Sequence, residues 1–190
     1  MKFTKFAAAL VFAGIAAISS VLAAEPIELS LWAPELQLIN AGADISGLRL
    51  SIYGENNNVK GIDFGFVGVT KGDFTGLGLN FIYSKIDGDF KGVDGYGLCT
   101  RVGGDAVGVN WNLLNICCGD RTGVALGLLN IDKQELKGLD WGIVNYCGKL
   151  NGVQLGLLNW AESGCGLQVG LVNIFKDGFF PVFPFINFNF

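Results

Sequence analysis

The fold class expected from this 190-residue sequence is all-β, an antiparallel up-and-down β-barrel of about ten to twelve strands joined by short turns. Three observations lead there. A segment of the form Gly-Φ-x-Φ-Gly-Φ-Φ-Asn (Φ apolar) returns every fourteen to sixteen residues from Gly47 almost to the C-terminus, so the chain repeats one structural unit. Inside each copy, large apolar residues alternate with small or polar ones at period two, the strand signal. Finally, allowing two to four residues per turn leaves about eleven per strand, close to the length that crosses a bilayer's hydrocarbon core at a tilt. A β-solenoid, with the copies stacked in parallel, is the alternative that the same period allows. Its geometry is tight: six or seven residues must carry the chain back to its starting point, unless each strand bends at its central glycine.

Taken in order, residues 1–24 read as a secretory signal, with Lys2 and Lys5 as a basic start, an apolar run from Phe6 to Ile18 and small residues ending at Ala23-Ala24. Residues 25–190 form a single repeat-built β domain with no linker-like stretch inside it. Ile27 to Trp32 and Leu36 to Ile39 alternate and supply one or two strands. Looser copies begin at Gly47, Gly61, Gly76, Gly92 and Gly108; the clearest begin at Gly123, Gly138, Gly152 and Gly166 and read GVALGLLN, GLDWGIVN, GVQLGLLN and GLQVGLVN. In the Gly152 copy, Val153, Leu155, Leu157 and Asn159 point one way, while Gly152, Gln154, Gly156 and Leu158 point the other. The first face is almost wholly large and apolar across the copies. The second carries Arg49, Asp63, Asp94, Asn110, Asp140, Gln154 and Gln168 between glycines. Polar stretches such as Lys71-Gly72-Asp73, Asp87-Gly88-Asp89 and Gly103-Gly104-Asp105 have the composition of hairpin turns.

In the last strand Pro184, Ile186, Phe188 and the terminal Phe190 share one face, and Asn187 and Asn189 the other. This pattern resembles the closing-strand signal of bacterial outer-membrane β-barrels, with the departure that Pro181 and Pro184 each remove a ladder donor. The GVQLGLLN and GLQVGLVN copies, together with the PFINFNF end, resemble a group of Gly/Leu-rich bacterial surface-repeat proteins with GLQLGLLN-type units. That resemblance covers Gly47 to Phe190, although the copies from Gly47 to Gly92 lack the final Asn. It implies a cell-surface or outer-membrane protein and no reaction.

Composition narrows the function further. With 51% hydrophobic and 16% charged residues and a mean hydropathy of +0.44, apolar surface is left facing a non-aqueous medium. Loss of Lys2 and Lys5 from the 13 basic residues leaves 11 against 17 acidic ones, and no basic patch offers a site for nucleic acid. The five cysteines, Cys99, Cys117, Cys118, Cys147 and Cys165, are an odd number, for which partial disulfide pairing between turns is expected in an oxidising compartment, with free buried thiols as the next reading. Without His or a CxxC spacing, the ligand set for zinc is poor.

Three constellations remain. Asn115, Asn130, Asn145, Asn159 and Asn173 close successive copies, either as a hydrogen-bonded ladder serving the fold or near a membrane rim. Trp111, Trp141 and Trp160, with Tyr83 and Tyr146, form either interfacial belts or core packing, and the mid-face positions of Trp111 and Trp141 suit lipid or core contact better than a rim. Asp63 and Asp94 have the chemistry to share a proton or a cation, but one carboxylate per repeat is more simply a solvated face. There is no GxSxG, no phosphate-binding loop and no His-based dyad, so no catalytic, cofactor-binding or metal-ligating residue is assigned. The expectation is a non-enzymatic outer-membrane or surface protein of structural or narrow-pore type, with outer-membrane lipid as its partner and no protein partner identified. Its alternative is a soluble exported solenoid that binds a partner, with the apolar face lining a dry interior.

Overall fold

The computed structural model describes residues 24–190, so the expected signal segment lies almost wholly outside the described residues. After β1 (Glu25–Trp32) and the short β2 (Leu36–Gln37), the repeats run through β3 (Ile45–Asn56), β4 (Val59–Thr70), β5 (Phe74–Ile86), β6 (Phe90–Gly95), β7 (Cys99–Val102) and β8 (Ala106–Trp111). They continue through β9 (Leu114–Cys117), β10 (Arg121–Leu126), β11 (Leu129–Trp141), β12 (Val144–Leu155) and β13 (Leu158–Phe175) to a closing β14 (Val182–Asn189). From β3 to β13 the strands pair in parallel. Among the described residues, antiparallel pairs occur at the two ends, β1 with β2 and β13 with β14.

The barrel expectation is overturned by this register. Gly138 lies opposite Gly152, and Asn145 opposite Asn159, so consecutive copies advance in the same direction. The fold is a β-solenoid of about eight turns.

Glycine is the physical reason. The later copies are bent at Gly127-Leu128, Gly142-Ile143 and Gly156-Leu157, where the strands are interrupted, into a first arm such as β10 and a second arm such as the start of β11. This central bend is what lets so short a unit close into a rung. At the head of the motif Gly47, Gly61, Gly76, Gly92, Gly108, Gly123 and Gly138 have φ between 131° and 156°, a region L side chains avoid. They also stack tightly: a Cβ on Gly138 would lie 1.9 Å from the carbonyl oxygen of Gly123.

The polar stretches expected to be hairpin turns instead lift the chain from one rung to the next. Their aspartates bind along the axis: Oδ1 of Asp73 accepts the amide of Asp89 at 2.8 Å, Asp89 that of Asp105 at 2.9 Å, and Asp105 that of Asp120 at 2.8 Å. Turn chemistry was thus legible while its direction was not.

Along the edge of the interior nearest these turns, side chains stack into apolar columns. Ile45, Val59, Phe74, Phe90 and Ala106 pack with Ile86, Val102 and Cys117, and a second cluster holds Leu136, Leu150, Cys147, Ala161 and Phe175. The rest of the interior is polar, with Arg49, Asp63, Asp94, Asn110, Asp140, Gln154, Gln168 and the five repeat asparagines at most 1% exposed. Side chains therefore fill the space that a barrel would have left as a lumen, which removes the narrow-pore reading. The dry apolar interior of the solenoid alternative is corrected as well. Leu50, Phe64, Phe66, Trp111, Leu128 and Trp141 point outward, 36% to 60% exposed.

Candidate docking surface

The sealed interior determines which groups are left for function. Asn115 donates to Asn130 at 2.9 Å, Asn130 to Asn145, Asn145 to Asn159 and Asn159 to Asn173 at 2.8 Å each. Several of these amides also reach a backbone carbonyl, such as Asn145 to Leu155 O at 2.9 Å. The five asparagines form a ladder inside the fold and are remote from any rim.

The acidic residues expected on a solvated face are buried instead, and Asp63 and Asp94 have separate partners. Arg49 grips Asp63 through Nε at 2.7 Å and Nη2 at 2.6 Å, while Asn80 also donates to Asp63. Asp94 accepts from the Thr100 hydroxyl and from Asn112 Nδ2, the latter at 2.9 Å. A third centre comprises Arg121, whose Nε donates to Asp132 at 2.6 Å and whose Nη1 donates to Asn110, with Asp140 alongside. Burial, reinforced by the charge on Asp132, pushes the Asp140 carboxyl well above its ordinary range. Burial thus favours the neutral form of the Asp140 carboxyl beside the Arg121 and Asp132 pair.

Sequence reasoning overlooked Arg121 and Asp132. The signal was present at repeat spacing: Arg121 occupies the column of Ala106 and Leu136, and Asp132 that of Cys117 and Cys147. A charge standing in an apolar column needs a buried counter-charge.

These carboxyls make stability depend on pH. Burial pushes Asp94 up to about 6, with the Asp63 charge adding to it, and pushes Glu28 up to about 7. Both bind a proton more tightly folded than unfolded, so the stability they confer is complete below their ordinary values of 3.8 and 4.5. It is lost as pH rises through the folded values. The urea midpoint is expected to fall between about pH 4 and about pH 8, with Asp94→Asn flattening the slope. A midpoint that climbs across this interval contradicts the assignment.

With the polar groups inside, the exterior is apolar on two sides. Outward residues of the first arm stack as Leu48, Ile62, Leu77, Val93, Val109, Val124, Leu139, Val153 and Leu167, and beside them as Leu50, Phe64, Leu79, Gly95, Trp111, Leu126, Trp141, Leu155 and Val169. Around the bend the second arm presents Leu114, Leu129, Val144 and Leu158, then Ile116, Ile131, Tyr146 and Trp160. The first arm's columns contain no charge, whereas the outer column of the second arm continues from Ile116 to Arg101, Lys85, Val69 and Glu55, so that face is free of charge from Leu114 onward.

The corner where the faces meet is grooved. A channel of about 1000 Å³ runs along it, with Trp111, Leu126, Trp141 and Leu155 on one side, Leu113, Leu128, Ile143 and Leu157 on the other, and Gly127, Gly142 and Gly156 between. A second groove of about 500 Å³ lies toward the N-terminal end between Leu50 and Phe64 on one side and Ile52 and Phe66 on the other. At roughly 4.8 Å per rung and 13 Å per arm, the eight spacings of the first face project about 500 Å², and the three spacings from Leu114 to Leu158 on the second about 190 Å². The two together exceed the 300 to 600 Å² (roughly) of the largest apolar patch on a typical monomer.

The aromatic residues do not form two belts. Trp111 and Trp141 wall the corner, whereas Trp160 lies on the second arm, its indole donating to Glu162 at 3.0 Å under the Lys176 ammonium. The expected disulfides are absent: all five cysteines are free thiols, with Cys117 and Cys147 buried in the core columns. No protein-family model matches the sequence, and no curated protein or solved structure is significantly similar to it.

Proposed function

We propose that this chain is an exported, non-enzymatic β-solenoid of the bacterial surface that acts by docking, with its two apolar outer faces as the docking surface. The observation that carries the reading is the inversion of the rungs: charged and amide side chains are sealed inside, while leucine, phenylalanine and tryptophan cover the outside. A repeat module built for water would reverse the two sets. The secretory features of residues 1–24 support export. A non-catalytic role is supported by the pairing of the buried Asp63, Asp94, Arg121 and Asp132 inside the fold and by a corner groove with no charged residue in its lining.

Fractionation of a producing bacterium tests the reading. The chain is expected in the envelope fraction, starting at Glu25, resistant to salt washing and released by detergent. The double variant Leu128→Asp, Ile143→Asp is expected to move to the soluble fraction. Its side chains are 50% and 47% exposed, so their replacement leaves the core untouched. Recovery of wild type and variant alike as soluble protein rejects docking.

A further inference from the structure

We infer that the occupant of the two faces is the acyl layer of one membrane leaflet, into which the grooved corner is inserted as a wedge while the turn edge remains in water. This rests on the docking reading above and names its partner. The first support is shape. The faces meet at a corner, so a flat protein partner or a second copy covers one and leaves the other exposed, whereas a fluid apolar layer covers both.

Depth supports a single leaflet. From Gly123, at the head of an arm, to Gly127, at the corner, is four residue steps, at most about 13 Å. Half of a 30 Å hydrocarbon core is about 15 Å, so the wedge fits one leaflet and cannot span two. Backbone groups of the arms pair with the rungs above and below, as a lipid environment requires.

Charge placement agrees. Exposed Lys60 and Lys91 flank the first face on its turn side, while on the second arm Arg101 stands with Lys85 and Glu55 in the outer column that leads to Ile116. Asp73, Asp87, Asp89 and Asp105 lie farther out, on the turns. On the first face cations thus stand at headgroup level with carboxylates beyond them in water, an arrangement matched to a phosphate layer over hydrocarbon.

Vesicle flotation and tryptophan quenching test the inference. The full exported chain is mixed with phosphatidylcholine vesicles, with and without phosphatidylglycerol, and with versions brominated on the acyl chains. Flotation on both lipids is expected, with most of the quenching lost in Trp111→Phe, Trp141→Phe. The double variant Leu128→Asp, Ile143→Asp is expected to float about tenfold less or worse, and Gln134→Asp on the turn edge to float as wild type. Circular dichroism confirms folding of each variant, and quenching of the wild type decides the point without any of them. Flotation without quenching, meaning adsorption to headgroups, overturns the inference. Absence of flotation from a chain that elutes as a dimer or larger overturns it too but leaves docking intact, with a second copy as the partner. Absence of flotation from a monomer overturns both.

Discussion

Gly138→Ala is expected to destabilise the solenoid by roughly 3 to 5 kcal/mol, a large share of the 5 to 15 kcal/mol or so available to a folded domain. Two independent effects combine at this position. The residue has φ of 147°, where a side chain strains the backbone, and its Cβ would lie 1.9 Å from the Gly123 carbonyl oxygen. The obstructing atom belongs to the backbone of the preceding rung, so relief requires displacing a whole rung and weakening its ladder on both sides. Gly95→Ala is the control. Its Cβ would meet nothing closer than 3.4 Å, and the change is expected to stay within about 1 kcal/mol of wild type. Urea denaturation followed by circular dichroism measures both, and equal effects at the two sites would dismiss the stacked-glycine explanation.

Arg121→Met is the second substitution with a large expected effect, a loss of about 3 to 5 kcal/mol. The guanidinium is buried together with Asp132, at 1% and 0% exposed, and its loss strands that carboxylate in the interior. The ion pair itself contributes little, because desolvation offsets most of its attraction. The double variant Arg121→Met, Asp132→Ala is therefore expected to recover wild-type stability or exceed it, since the columns on either side are already Ala106, Leu136, Cys117 and Cys147. A double-mutant cycle by urea denaturation checks this. The pair separates the two apolar clusters along the axis, one ending at Ala106 and Cys117 and the other beginning at Leu136 and Cys147. A charged rung at that point penalises any slip of the stack by one repeat, because a slipped register sets each charge against an apolar neighbour.

Much of the architecture was legible because it is local. The repeat period, the strand at Ile27 to Trp32, the turns at Lys71-Gly72-Asp73, Asp87-Gly88-Asp89 and Gly103-Gly104-Asp105 and the division into an apolar and a polar face reappear in the structure, whereas the strand expected at Leu36 to Ile39 shrinks to Leu36–Gln37 and the turns expected at Gly148-Lys149 and Glu162-Ser163-Gly164 lie within β12 and β13. In the last strand Asn187 is buried while Ile186 and Phe188 are exposed, as the alternation requires. The pleat breaks at the corner, however. Asn159 was placed with Leu155 and Leu157, but the bend at Gly156-Leu157 turns it inward while Leu157 stays 53% exposed. Sidedness was legible only in part: the polar face turns inward as the barrel reading held, within the parallel winding of its alternative. The docking surface could be anticipated as apolar, but not as two faces meeting in a groove, since that shape depends on the corner angle.

The sequence by itself determined the unit: its length, its strand character, its turn chemistry and which residues share a face, because these follow from the preferences of one residue and its near neighbours. Tertiary structure alone decided whether units reverse or advance. Period-two alternation is identical in an antiparallel hairpin and a parallel rung, and the choice rests on contacts fourteen to sixteen residues apart, where glycine backbones touch and asparagine amides link one turn to the next.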